Sequence, residues 1–205
     1  MKLRHRFPVA IVVGVPGVGK TTVLSLAMEK LKDLGIKALV LNYGDYIFKA
    51  LSEKGVVKTR DEVRRLSLRI QLEHQELAAE LLIKDAESEL SNSDVLIIDT
   101  HAVVKTSIGY WPGLPLHVVQ RLKPDLIAVI EAPVEDIISR QLRDTTRYRK
   151  DLARPELVDE LLKMTRYFAI ASATLVGASV TFIKNLEGKA DEAAEELANR
   201  VRALL

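Results

Sequence analysis

Short apolar segments alternate with longer amphipathic segments along the chain. Runs rich in Val, Ile and Leu span residues 9–15, 37–42, 94–100, 126–132 and 179–185. Their apolar character is continuous rather than alternating, which is typical of parallel strands covered on both faces. Helices are predicted between them over residues 19–34, 46–53, 60–90, 116–122, 134–144, 155–175 and 190–204. This βαβ order predicts an α/β fold that forms a single domain over residues 1–205.

The candidate helix over residues 60–90 is longer than usual for a protein of this kind. We expect it to break, to bend or to pack against something outside the main sheet. The other boundaries carry ordinary signals, since Gly35 follows the first helix and Pro133 and Pro155 stand where a first helical turn tolerates proline.

The composition excludes several classes of function. Lys and Arg total 30 against 28 Asp and Glu, a formal net charge of +2, so we predict no binding to nucleic acid or to a membrane surface. The chain has no Cys, which excludes Cys-ligated zinc, iron–sulfur clusters and thiol nucleophiles. His5, His74 and His117 lack ligand spacing, so a metal other than magnesium is not expected.

Two apolar stretches resemble export or membrane signals without meeting their requirements. Residues 1–18 run from basic to apolar, but no small-residue cleavage site follows. Residues 167–183 carry no charge, yet they contain Gly and several Ser and Thr and only just reach the length of a spanning helix. A helix end, a glycine break and a strand explain them better, and we expect a soluble, cytoplasmic protein.

The strongest motif follows the first predicted strand and opens the first helix. Residues 14–21, GVPGVGKT, match G-x-x-x-x-G-K-[ST], in which backbone N–H groups surround phosphate oxygens at the positive end of a helix. Lys20 is expected to reach the β and γ phosphates of ATP, and the Thr21 hydroxyl to ligate Mg²⁺. The residues predicted to bind the nucleotide are Gly14, Val15, Pro16, Gly17, Val18, Gly19, Lys20, Thr21 and Thr22.

A carboxylate at the end of another strand fits the same chemistry. Asp99 closes the apolar run VLIID, and a buried strand seldom carries an acid without a partner. Asp99 is therefore our candidate for the magnesium side of the site, acting through water. The alternative is that it is only a turn residue at the end of the strand.

A cluster of arginines forms the second strong signal. Residues 140–154 hold six basic residues against two acidic ones. Planar guanidinium groups can clamp the oxygens of a phosphoryl group during transfer. For Arg143 and Arg154 a solvated helix face remains an equal alternative.

The class of phosphate-binding protein follows from what the chain lacks and from its size. The guanine-specific motifs N-K-x-D and D-x-x-G do not occur in the sequence. A helicase or transporter motor normally needs further elements, so a compact kinase is favoured. A P-loop ATPase that acts as a switch or assembly factor is the alternative.

Taken in order, the motifs resemble those of the archaeal-type adenylate kinases, a branch of the P-loop nucleoside monophosphate kinases. The resemblance spans nearly the full chain, through GVPGVGKTT at 14–22, NYGD at 42–45, RDEVRRLS at 60–67, DTHA at 99–102, GYWPGLP at 109–115 and RQLRDTTRYR at 140–149. It implies a three-layer P-loop NTPase fold with a five-stranded parallel sheet. It also implies a helical segment that binds the nucleoside monophosphate, about 43–90, and a short lid, about 145–152.

The resemblance further implies reversible, Mg²⁺-dependent transfer from ATP to AMP by a homotrimer. The residues that match family positions at the AMP site are Asp45, Arg64, Thr100, His101 and Lys105. Those that match catalytic positions are Lys20, Arg140, Arg147, Arg149 and Arg166.

Alternatives on the acceptor side stay open. His101 could be a structural histidine, Arg64 and Arg65 ordinary surface charges, and residues 110–113 a rigid turn. Trp111 departs from the family pattern, so the resemblance supports no stacking role for it. The acceptor could also be UMP, CMP or a small alcohol.

Overall fold

Strands and helices alternate through residues 4–63, 66–143 and 154–205, the parts of the chain that the computed structural model describes. The strands are β1 (Val9–Gly14), β2 (Ala38–Asn42), β3 (Val95–Asp99), β4 (Val103–Thr106), β5 (Gly109–Pro112), β6 (Leu126–Glu131) and β7 (Ser179–Lys184). The helices are α1 (Lys20–Asp33), α2 (Tyr43–Glu53), α3 (Arg60–Val63), α4 (Leu68–Glu89), α5 (Leu116–Leu122), α6 (Val134–Arg143), α7 (Pro155–Val176) and α8 (Ala190–Arg202).

Five strands form one parallel sheet in the order β2-β3-β1-β6-β7. They are the five strands predicted from the sequence, with ends that agree to within one residue. Every residue of β1 and β6 is buried, which explains why their sequences are continuously apolar. The carboxyl ends of all five strands meet at one edge, where ligands bind in open α/β sheets.

The sheet separates two apolar clusters, so the fold has three layers. On one face, Ala10 and Val12 of β1 pack with residues of α1 and α8. On the other face, Ile11 and Val13 pack with residues of α4, α5 and the later part of α7. Consecutive residues of one strand therefore stabilise both halves of the core.

The long helix predicted over residues 60–90 is divided into α3 and α4, as expected. α3 ends at Val63, and Ser67 caps α4 because its hydroxyl oxygen accepts from the backbone N–H of Ile70 at 3.4 Å. α4 packs against α2, where the hydroxyl of the buried Tyr43 donates to the carbonyl of Gln75 at 2.7 Å.

A two-stranded antiparallel hairpin, β4–β5, was not predicted. Residues 110–112, interpreted as part of a rigid turn, lie in β5 and pair with residues 103–105. Each strand has only four residues, too few for a clear apolar pattern.

The basic amino-terminal segment caps two helices at the edge of the sheet opposite the P-loop. The Arg4 guanidinium donates to the carbonyls of Val176 at 3.0 Å and Gly177 at 2.9 Å, at the end of α7. Arg6 donates to the carbonyl of Leu90, after α4, at 2.6 Å. Cations at these positions complement the negative ends of the helices.

Residues 167–183 form the end of α7, a break at Gly177 and β7, as the sequence predicted. None of the helices in the described ranges has the length and apolarity needed to cross a membrane.

Candidate active site

The P-loop connects β1 to α1 at the carboxyl edge of the sheet. Residues 15–19 leave the end of β1 and lead directly into α1, whose first residue is Lys20. Thr21 and Thr22 lie exposed in the first turn of that helix. The required order of strand, loop and helix is thus present, and the positive end of a 14-residue helix faces the loop.

Lys20 and Asp99 meet beside this loop. The Lys20 ammonium forms a short ion pair with Oδ1 of Asp99, and both side chains are largely buried, with 11% and 17% of their surfaces exposed. Asn42 donates from Nδ2 to the other carboxylate oxygen, Oδ2, at 2.8 Å. Asp99 is in register with Val12 of β1 and Asn42 of β2, so parallel strand pairing holds the carboxylate between its partners.

A magnesium ion would fit this arrangement. In the described residues, no group of three or more His, Cys, Asp and Glu side chains could hold a metal. Mg²⁺ commonly uses only one or two protein ligands, and phosphate oxygens and water complete its shell. Thr21 at the start of α1 and Asp99 at the end of β3 could supply such ligands.

Arg140 contacts the P-loop through protein groups, and its predicted contact with a phosphate stays a prediction. Its Nη1 donates to the carbonyl of Val18 at 3.1 Å and its Nη2 to that of Asn185 at 3.3 Å. Nε donates to Glu187 at 2.9 Å. Arg143 also binds Glu187, at 3.0 Å, but 63% of its side chain is exposed. Hydrogen bonds from Arg143 and Arg140 hold the pKa of Glu187 below its ordinary value.

The two arginines of α6 have different surroundings. Arg140 touches the loop itself, whereas Arg143 forms an exposed ion pair at the helix surface. The surface interpretation is therefore favoured for Arg143.

Arg166 is held by a buried carboxylate at the end of β6. Its Nε and Nη2 donate to the two oxygens of Glu131, a residue that is only 7% exposed. The guanidinium carbon lies 4.6 Å from the centre of the Phe182 ring. Because β6 pairs with β1, Glu131 places Arg166 at the same edge of the sheet as the P-loop.

The resemblance implies that Arg166 contacts the phosphates. On that basis, replacing Glu131 by glutamine is expected to lower kcat for phosphoryl transfer about tenfold, because one charge-assisted hydrogen bond to Arg166 is lost and the other is weakened. Glu131 would act only through the arginine. In an Arg166→Ala background the Glu131→Gln substitution should therefore have no further effect on kcat. An equal loss in both backgrounds would contradict this role for Glu131.

Four of the five residues predicted for the acceptor side are described, and they lie on α2, after β3 and on β4. Asp45 is exposed in the first turn of α2. Thr100 follows β3, and its backbone N–H donates to the carbonyl of Val12 at 3.1 Å. His101 Nδ1 donates to the carbonyl of Gly14 at 2.9 Å, as a structural histidine would.

Lys105 lies on the unpredicted hairpin. Its ammonium group is 3.2 Å from the hydroxyl of Tyr110 and 4.7 Å from the centre of that ring. It also lies 3.9 Å from Glu160 of α7. The hairpin thus places Lys105 beside α7, and its contact with AMP stays a prediction.

Several predicted site residues cannot be placed. The residues outside the described ranges are Arg64, Arg147, Arg149 and the predicted lid over residues 145–152.

Four residues at the site were not predicted from the sequence. Asn42 contacts Asp99, and Glu131 contacts Arg166. Gln141 and Asn185 contact the P-loop. Asn42 could have been noticed because it ends an apolar strand, as Asp99 does.

Comparison with known proteins identifies close relatives. A family model described as an AAA domain matches residues 13–157. The adenylate kinase of Saccharolobus solfataricus is 46% identical over 191 residues, which cover 93% of this chain and 97% of the relative. That of Methanopyrus kandleri is 40% identical, with 96% and 98% covered.

The fold also matches a solved structure of lower sequence similarity. A shikimate kinase from Acinetobacter baumannii, in complex with shikimate, aligns with a TM-score of 0.53. The alignment covers 96% of this chain and 94% of that chain at 16% identity. At this identity the likeness establishes the P-loop kinase fold alone.

Proposed function

The chain belongs to the adenylate kinase family, and we propose that it transfers a phosphoryl group from Mg·ATP to AMP at the carboxyl edge of its sheet. It is a nucleotide phosphotransferase that converts ATP and AMP reversibly into two ADP. The observation that carries the location of the site is the junction of the P-loop, Lys20 and Asp99. Lys20 stands at the amino end of α1, where phosphate oxygens would be surrounded by N–H groups.

The reaction places few chemical demands on the side chains. An oxygen of the AMP phosphate attacks the γ phosphorus, and the bond from that phosphorus to the β–γ bridging oxygen breaks. The attacking oxygen is already anionic, so no general base is required. The protein aligns the two nucleotides and stabilises the charge that spreads over the transferring group.

Lys20 and the arginines would supply that stabilisation. Lys20 would neutralise charge on the β and γ phosphates, and Arg140, Arg147, Arg149 and Arg166 would contact phosphate oxygens. Thr21 would ligate Mg²⁺ directly and Asp99 through water. When bound, the ion neutralises charge on the β and γ oxygens. The ion pair of Lys20 with Asp99 keeps both charges partnered at the edge of the core before ATP arrives.

We propose that the acceptor binds at the same carboxyl edge of the sheet as the P-loop. Asp45, Arg64, Thr100, His101 and Lys105 would contact AMP within or beside the segment 43–90. The segment 145–152 would close over the phosphates when both nucleotides are present, because water must be excluded from the reacting γ phosphate. By analogy with the family, we propose a cytoplasmic homotrimer.

An acceptor series tests the activity. ADP formation from Mg·ATP would be measured with AMP, GMP, CMP, UMP or no acceptor. We expect strong stimulation by AMP alone. A rate that is independent of every nucleoside monophosphate would instead favour a P-loop ATPase. Preferential stimulation by CMP or UMP would identify a kinase for another nucleotide.

A further inference from the structure

Two buried amide side chains, one from α6 and one from the end of β7, contact carbonyl groups of the P-loop. Gln141 of α6 donates from Nε2 to the carbonyl of Pro16 at 2.6 Å. Asn185, just after β7, donates from Nδ2 to the carbonyl of Val18 at 2.8 Å. Both residues are 3% exposed. Because a carbonyl can only accept, the NH₂ group of each amide must face the loop.

We propose that Gln141 and Asn185 are positioning residues that aim the N–H groups of the P-loop at the phosphates of ATP. In a planar trans peptide, the carbonyl and the following N–H point in opposite directions. Holding the Pro16 carbonyl against Gln141 therefore turns the N–H of Gly17 away from Gln141. Asn185 orients the N–H of Gly19 in the same way.

The glycines of the loop fit against these two side chains. Gly17 and Gly19 have φ values of +89° and +86°. A Cβ at position 17 would lie 2.7 Å from Cγ of Gln141, and one at position 19 would lie 2.3 Å from Nδ2 of Asn185. Because glycine has no Cβ, positions 17 and 19 leave room for the amides and can adopt the left-handed backbone conformation. Gly17 stands at a position where the P-loop motif accepts any residue.

Each amide makes its loop contact without a partner for its oxygen. Among the described residues, Oε1 of Gln141 and Oδ1 of Asn185 are buried and have no hydrogen-bond partner. A buried oxygen without a partner lowers stability, so the contribution of these two residues to folding is smaller than their burial suggests.

The loss of one contact should weaken ATP binding more than the loss of the other. The carbonyl of Val18 also accepts from Nη1 of Arg140, at 3.1 Å, so the loss of Asn185 leaves one donor in place. Gln141 provides the one side-chain contact to the Pro16 carbonyl that we identify within the described residues. The positioning role predicts a larger effect for Gln141 than for Asn185.

Titration calorimetry with Mg·ATP and no acceptor tests the inference. Gln141→Met, which is close in shape but has no donor, should raise the Kd for ATP about tenfold, the size of one lost hydrogen bond. Asn185→Leu should raise it about threefold, since Arg140 remains. The Kd for AMP, measured without ATP, should stay unchanged in both variants.

A matched control separates positioning from general stability. Ser172 of α7 is 5% exposed and donates to the carbonyl of Leu114 at 2.8 Å, another buried contact from side chain to backbone. Ser172→Ala should lower the melting temperature without changing the Kd for ATP. An unchanged Kd in a folded Gln141→Met variant would overturn the proposal, and so would an equal change in Ser172→Ala. If Gln141→Met fails to fold, Asn185→Leu provides the same test.

The inference rests on the proposed function only for the identity of the donor nucleotide. ATP binding without an acceptor reports on the loop whether or not AMP is phosphorylated. If the parent protein binds ATP but shows no stimulation by AMP, the proposed function fails while the effect of Gln141 on the loop is still measured.

Discussion

Replacing Lys20 by methionine is expected to lower kcat for ADP formation by at least about a hundredfold, the usual effect of removing a preorganised electrostatic donor. Methionine keeps much of the length of the side chain but removes its charge from the first residue of α1. The β and γ phosphates would then lose the cation that the P-loop motif provides. Asp99 would keep its hydrogen bond from Asn42 but lose its cation, so the melting temperature should fall, and kcat is measured at a temperature where the variant is folded.

Lys30→Met provides the matched control for this variant. Lys30 lies at the other end of α1 and forms an ion pair with Asp191 at 2.9 Å. Its partner Asp191 is largely exposed, and ion pairs at the surface contribute little to stability. The control should therefore keep the kcat of the parent protein. If both variants gave the same turnover number, Lys20 would have no special role in transfer.

The second large effect is expected from Arg147→Ala. The resemblance matches Arg147 to an arginine that contacts phosphates, and charge develops there during transfer. We expect a loss of at least about 3 kcal/mol in transition-state stabilisation, seen mainly as a lower kcat. The measurement is steady-state ADP formation with saturating ATP and AMP.

Arg143→Ala is the control for that substitution. Arg143 is an exposed arginine whose guanidinium binds Glu187, and its replacement should leave turnover unchanged. Turnover by Arg147→Ala at the level of the parent protein would show that Arg147 does not stabilise the transferring group. A large loss of turnover in Arg143→Ala would assign the stabilisation of the transferring group to Arg143 of α6 instead.

The main sheet was predictable from the sequence because its strands are covered on both faces. Burial of β1, β3 and β6 leaves continuous apolar runs, which differ from the patterns of the helices between them. The P-loop was predictable for a related reason, since its spacing is local and its place between strand and helix is fixed. Asp99 could be identified because an acid at the end of an apolar strand is unusual.

The remaining features depend on contacts between distant parts of the chain. Gln141 and Asn185 reach the P-loop from α6 and from the end of β7, and no local pattern marks an amide that will face a carbonyl. Glu131 ends an apolar strand as Asp99 does and could have been noticed on that ground, but no local pattern marks its partner Arg166, which lies on α7. The β4–β5 hairpin escaped prediction because its four-residue strands carry too little periodicity.

Calorimetric titration with diadenosine pentaphosphate, in which a phosphate chain joins two adenosines, tests most directly whether one site holds both nucleotides. We predict a single bound molecule per chain, displaced by ATP and by AMP, and much weaker binding in Lys20→Met. Absence of binding, or displacement by ATP but not by AMP, would contradict the transfer of a phosphoryl group between two nucleotides at the P-loop.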